Sequence, residues 1–397
     1  MKNRQRFSAF LALTVMVIGV SCSGEGQVDR QHSLQLEVVD SLVVDMLEPL
    51  ILDDHLPEEG LFLLKGDKNR LPMLVDEGGR IVRAFDIAED GPNGVGAGGA
   101  LGYKFLGKDR FVAQGFYNHY HIYNLKGEKE KAVPFNAEGL YHIKLYKNRT
   151  TFHPFMKGGQ AMMVGEEPNS YNPGEISFRK SGADFYRQAR ILYAYNLETE
   201  ENQLLETYPE DWEPRASNRF VGESAPLMDF SKRKNEMAVL PRVGNQLFLY
   251  DFAGETPSQK SVVELSHPHR PSEAPTVSPE EEGRISDYPN FSDLRYAGDY
   301  ILVQFFTQVP ADITREIKAQ AGEQYANSPE YREARKKYIK PYFLVVKDGQ
   351  QIGTLDEVPV HGTLDFADEE GYIYFNDNLS PETERDYNVF YKLRIKG

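Results

Sequence analysis

The chain has a single cysteine in 397 residues, Cys22, and that shortage excludes any intramolecular disulfide. Positive charge is also scarce. Lysine and arginine number 45 against 60 aspartates and glutamates, a formal net charge of −15. Nucleic acid and anionic membrane surfaces attract basic patches, so neither is expected as a partner. The apolar run from Phe7 to Val20 is too short for a comfortable transmembrane span. No long Pro/Gly/Ser linker divides the chain. The glycines of "GPNGVGAGG", Gly94, Gly96 and Gly99, have the spacing of a dinucleotide-binding loop but not its setting. No strand ends directly before them and no helix opens after them, so no helix dipole is available for a phosphate. They read instead as a connection between sheet units, with no cofactor implied.

The N-terminus is the most informative stretch. Lys2, Arg4 and Arg6 precede the apolar run, and small residues follow around Cys22, which is the pattern of a secretory signal. The segment resembles a bacterial lipoprotein signal, with Gly19 where an aliphatic residue is usual and with Val20 and Ser21 conforming. The resemblance implies cleavage after residue 21 and lipid attachment at Cys22. The alternative is ordinary cleavage that leaves Cys22 a free thiol. Residues 22–33 read as a flexible tether, polar and glycine-bearing. Loss of residues 1–21 removes three positive charges and leaves 42 basic against 60 acidic residues, a formal charge of −18.

From residue 34 onward the pattern is β. One class of hairpin recurs as "PMLVDEGGRIVRAF", "HIYNLKGEKEKAV", "LYAYNLETEENQLLE", "LFLYDFAGETPSQKSVVEL" and "FLVVKDGQQIGTL". A second class, which includes "YKFLGKDRFVAQGF", "APLMDFSKRKNEMAVLP", "DLRYAGDYILVQFF" and "TLDFADEEGYIYF", lies between them. Paired, they make units of four antiparallel strands. The last unit ends at "NVFYKLRIKG" one strand short, and "SLQLEVVDSLVVD" near the start is a strand with no neighbour. The expected fold is therefore an all-β, six-bladed propeller over 34–397, closed by its N-terminal strand, so that no open sheet edge remains. One stretch breaks the β pattern, residues 311–340. Ile313, Ile317, Ala321 and Tyr325 form a stripe on one helix, and Ser328 and Pro329 open a second, giving a helical insertion in the fifth blade. Such a pair of helices would cap the channel, contact a partner or cover a blade edge.

The connector "DGPNGVG", the lipoprotein-like start and the hairpin "DFSKRKNEMAVL" are similar to those of TolB-like six-bladed propeller lipoproteins, in particular domain-of-unknown-function family 4221. The resemblance implies a propeller and an envelope location. It implies no activity and carries over no catalytic residue.

Catalytic patterns are thin. "GESAP" falls one residue short of a nucleophile elbow, with Pro226 in place of glycine and a strand following, so Ser224 reads as a loop hydroxyl. His267 and His269 of "HPHRP" lack a third metal ligand at a typical spacing and read as part of a solvated loop. The acidic strings "EEEG" and "DEEG" do not make a calcium loop, and Asn148 of "NRT" is a glycosylation pattern of little use to a bacterial lipoprotein. "FYNHYHIYN" places His119 and His121 on one face of a strand, either as a polar face against a neighbouring blade or as ligand-binding residues.

The leading reading is a non-enzymatic lipoprotein, anchored by its lipid to the outer membrane of a Gram-negative cell and facing the periplasm or the surface. A monomer is expected, binding a protein, peptide or glycan through its loop face or channel mouth. The alternatives are a hydrolase or lyase with a metal at the channel mouth, and an accessory structural subunit of an outer-membrane complex.

Overall fold

The structure, a computed structural model, describes residues 33–87, 91–96, 99–116, 119–134, 149–166, 181–222, 225–254, 256–279 and 288–396. The first strand, β1 (Leu36–Val44), does not open a blade but completes the last one. Blade one is β2 (Leu50–Leu56), β3 (Leu61–Gly66), β4 (Pro72–Asp76) and β5 (Ile81–Ala84); blade two is β6 (Ala100–Leu106), β7 (Arg110–Gly115), β8 (His119–Asn124) and β9 (Lys129–Pro134). Blade three comprises β10 (Phe152–Lys157), β11 (Gln160–Glu166), β12 (Leu192–Asn196) and β13 (Asn202–Leu205). Blade four comprises β14 (Leu227–Ser231), β15 (Glu236–Leu240), β16 (Gln246–Asp251) and β17 (Ser258–Glu264). Blade five holds β18 (Phe291–Ala297), β19 (Tyr300–Phe306), β20 (Pro341–Lys347) and β21 (Gln350–Leu355). Blade six is β22 (Thr363–Ala367), β23 (Ile373–Asn376) and β24 (Asn388–Ile395), with β1 paired to β24. The first strands touch in ring order, β2 with β6, β6 with β10, β14 with β18, β18 with β22 and β22 with β2, and blade three meets blade four through β11 and β14. The protein is a six-bladed β-propeller.

Six apolar clusters sit at the six blade junctions. Leu63 and Tyr103 belong to the one between blades one and two, Val112 and Met163 to the next, then Phe155 and Phe230, Leu247 and Leu294, Leu302 and Leu364, and Phe390 and Leu50. Both faces of a blade are therefore covered by its neighbours, and β14 and β15 are buried at every residue. Sheets stacked face to face make such a core from the inward side chains of each. A fully buried Leu, Val or Phe contributes about 1.5–3 kcal/mol.

Closure follows the expected pairing. β1 runs antiparallel to β24 from Leu36 opposite Ile395 to Val44 opposite Asn388, with a bulge between Val38 and Asp40. Leu36, Leu42 and Val44 are buried by it. Ahead of β1, Leu34 donates its backbone N–H to Thr354 on the outer strand of blade five at 2.8 Å. Gly79, in the β4–β5 turn at φ +80°, lies so close to the Val43 carbonyl that an added Cβ would sit 1.8 Å from its oxygen. Only glycine lets blade one approach the closing strand there.

The hairpins read from the sequence are all present. Two more were not singled out, β2–β3 and β10–β11. Asp53, Asp54 and His55 crowd the first, and Pro154 sits inside β10, so neither shows the apolar alternation of an ordinary strand. Both strands line the channel, where polar side chains belong. The glycine connector holds Gly96 and Gly99 at φ +94° and +69° and leads into β6 rather than a helix.

The insertion joins β19 to β20 and contains α1 (Ala311–Ala321), a 3-10 turn (Gly322–Asn327) and α2 (Pro329–Tyr338). Ser328 caps α2, its Oγ accepting the Tyr331 N–H at 3.1 Å. The expected stripe is only partly right. Ile313, Ile317 and Tyr325 pack with Ala334 and Tyr338 in a small cluster, but Tyr325 belongs to the 3-10 turn and Ala321 is exposed, because α1 stops before the fourth repeat. His267 also departs from its reading. It is buried, its ring 4.7 Å from Tyr342 and 5.0 Å from Phe305, while His269 is exposed.

Candidate functional site

In a four-stranded blade the first strand is a sheet edge, so the N–H groups on its inner side have no ladder partner. Carboxylates of neighbouring first strands supply one. Asp365 on β22 accepts the Leu52 N–H of β2 at 2.9 Å. Asp53 and Asp54 on β2 accept the N–H groups of Tyr103 and Phe105 on β6 at 2.9 and 2.8 Å, and Asp229 on β14 accepts that of Tyr296 on β18 at 2.6 Å. These aspartates tie blade six to one, one to two, and four to five. Their sequence signal is an aspartate inside the apolar opening strand of a blade, as in "LILDDH", "PLMDFS" and "TLDFAD".

All six first strands end at one mouth of the channel, and their ends with the turns that follow enclose a cavity of about 590 Å3. Asp54, Lys104, His153, Asp229, Arg295 and Phe366 contribute one residue from each blade. Lys232, on the β14–β15 turn, reaches across the mouth. Its Nζ donates to the Phe105 carbonyl at 3.1 Å and lies 3.4 Å from Asp54 Oδ2. On the other side, Glu369 accepts from Ser231 Oγ at 2.9 Å and from the Lys232 N–H at 2.7 Å. Blade four is thus strapped to blade six and to blades one and two over the channel axis. Deeper in, Lys65 donates to Asp53 at 2.8 Å, and Asp293 pairs with Arg149 at 3.2 Å and with Arg295 at 3.0 Å.

Burial and charge work against each other among these groups. Burial pushes the Asp54 carboxyl upward, but the ammoniums of Lys104 and Lys232 and two backbone N–H groups outweigh it and hold the group below the usual carboxylate range. Burial wins at Asp229, whose carboxyl is raised despite Arg295 and Arg149, and at Asp365, pushed up to about 7. His153 is held well below the usual imidazole range by burial and then by Lys104, Lys232, Arg149 and Arg295. His55, stacked on Phe62 at 4.1 Å, is fixed through Nδ1 by Asp368 at 3.0 Å, and Asp368 also accepts the Tyr374 hydroxyl at 3.1 Å. Among the described residues the Nε2 atoms of His55 and His153 have no hydrogen-bond partner, although Asp229 Oδ1 lies 3.3 Å from that of His153.

His119 and His121 lie on β8, the third strand outward in blade two, and are not among the residues that line the cavity. Their rings face each other at 6.1 Å, His119 exposed and His121 buried. Burial lowers His121 to about 4, with Lys129 and His119 adding to the effect. Cys22, Asn148 and Ser224 lie outside the described residues. Among the described residues no group of three or more His, Cys, Asp or Glu side chains is placed to hold a metal ion, and no helix is long and apolar enough to cross a membrane.

No protein-family model matches the sequence, and no curated protein matches it. Solved structures do. A member of domain-of-unknown-function family 4221 from Bacteroides vulgatus aligns over 93% of this chain and 100% of its own, with a TM-score of 0.59 and 13% identity. The likeness is one of fold. A protein from Bacteroides fragilis, named as a candidate exported protein, aligns over 93% of this chain and 98% of its own, with a TM-score of 0.54 and 10% identity. The fold expected from the resemblance to family 4221 is thus the fold found, and at these identities the match carries the propeller alone.

Proposed function

We propose that the protein is an exported, non-catalytic binding propeller that holds part of a peptide, protein or glycan in the cavity at its channel mouth. The observation that carries this reading is the cavity itself, to which every blade contributes and whose walls combine apolar surface with buried charged groups. Ligand sites of this size are concave and mostly apolar, with a few convergent polar groups. The signal-like segment 1–21 and the name of the Bacteroides fragilis neighbour support export. The reading assigns the ligand to the cavity rather than to His119 and His121. Met156, 41% exposed on the rim, offers a test that spares the core. Oligosaccharide and peptide fractions of envelope extract that raise the Tm of the purified protein should not raise that of Met156→Arg, whose side chain obstructs the mouth. Equal shifts in both proteins, or no shift with any fraction, would reject the cavity as the site.

A further inference from the structure

We propose that the cavity recognises a single carboxylate on its ligand, and that the Lys104 ammonium is the group that receives it. This deepens the binding reading above and rests on it.

Lys104 leaves β6 between Tyr103 and Phe105, whose rings join the apolar cluster between blades one and two. Alternation along the strand sends Lys104 the other way, into the channel. The residue is only 5% exposed and lines the cavity. Its Nζ stands 4.8 Å above the Phe366 ring of blade six and 3.6 Å from Asp54 Oδ1 of blade one. An ammonium has three donors, and at 3.6 Å the aspartate is an ion-pair partner rather than a hydrogen-bond acceptor. Among the described residues Nζ makes no hydrogen bond, and Asp54 is its ion-pair partner. The contrast with the other channel lysines is plain. Lys65 spends its donors on Asp53 and the Leu101 carbonyl at 2.8 and 3.0 Å, and Lys232 donates to the Phe105 carbonyl.

A buried cation with unused donors, facing a cavity, is matched by an anion that brings acceptors of its own. Burial, followed by the nearby Lys232, holds the Lys104 ammonium below the usual lysine range, with Asp54 opposing. An entering carboxylate would restore what burial takes away. The charge of that anion is bounded as well. Asp54, Asp229 and Glu369 line the same cavity beside Lys232 and Arg295, so a dianion such as a phosphate monoester is repelled more strongly than a single carboxylate, which competes with Asp54 for one ammonium.

The test uses acetate as the probe and the intact protein. Reductive methylation with formaldehyde and cyanoborohydride at neutral pH, read by peptide mass spectrometry, follows Lys104 against the exposed Lys340. Acetate should slow Lys104 labelling saturably, with a dissociation constant on the order of 10 mM, as a single charged contact allows. Acetamide, or chloride at equal ionic strength, should not, and Lys340 should label unchanged throughout. In Asp54→Asn, which removes the internal competitor, acetate protection should tighten roughly threefold or more. Should that variant fail to fold, the unmodified protein still decides. Saturable protection supports the proposal; its absence, or equal protection by chloride or acetamide, overturns it. Galacturonate and a tripeptide with a free C-terminus, run as further arms, distinguish a sugar acid from a peptide terminus as the source of the carboxylate. If acetate fails while Met156→Arg still abolishes binding of an extract fraction, the binding reading stands and carboxylate recognition falls.

Discussion

A single aspartate in a first strand does the work of a missing strand. Asp365 is 1% exposed, and Oδ2 holds the Leu52 N–H across the junction between blades six and one, while Oδ1 is buried with no partner among the described residues. Its carboxyl is pushed up to about 7 by burial, against the opposing Leu52 N–H, so the folded state prefers the protonated form. The contribution of this preference is complete below the ordinary carboxylate range and is lost as pH rises through about 7. Asp365→Asn keeps an oxygen for Leu52 and cannot ionise. The variant should therefore gain in Tm relative to the unmodified protein as pH is raised from 5 to 8, levelling off above that, with a free-energy gain on the order of 2–4 kcal/mol at the plateau. Melting both proteins across that range checks it, and parallel curves would show that Asp365 is ionised throughout.

Two elements can be removed, and they should behave in opposite ways. β1 completes blade six and brings Leu36, Leu42 and Val44 into the core, so a chain beginning at residue 47 loses that burial and leaves β24 as an open edge. Such a chain should aggregate or melt lower by on the order of 10 °C or more. Melting like the full chain would refute closure by β1. The helical insertion, by contrast, packs chiefly on itself, Val309, Ile317 and Ala334 being its buried apolar residues. It leaves β19 at the end away from the β18–β19 turn, and that turn lies on the cavity side. The helices therefore do not cap this mouth. Replacing residues 312–338 with a short Gly/Ser linker should leave the Tm nearly unchanged and the acetate protection of Lys104 intact, both measurable on the same sample. Loss of folding would show that the helices belong to the core.

At the scale of the whole molecule, six similar sheets make a ring whose weak point is its seam, and the seam uses the chain just after the proposed tether. If Cys22 carries a lipid, Cys22→Ala should move the protein from the membrane fraction to the soluble fraction of the envelope, and continued membrane association would end the tether idea. The propeller was legible in the sequence because turn residues and alternating apolar side chains are local signals, and counting hairpins left one strand short at the C-terminus and one spare at the N-terminus. The two hairpins not singled out, β2–β3 and β10–β11, were hidden by polar residues and a proline that make sense only when a strand faces the channel. The candidate site was not legible for the same reason. His119 and His121 stand two apart and catch the eye, whereas Asp54, Lys104, His153, Asp229 and Arg295 are spread over more than two hundred residues and meet only when the ring closes. Sequence by itself determined most of the strands, their order and the closing strand, since these follow from local patterning and an unpaired edge. Tertiary structure decided which charged side chains share the channel mouth, because burial and proximity across blades are properties of the closed ring.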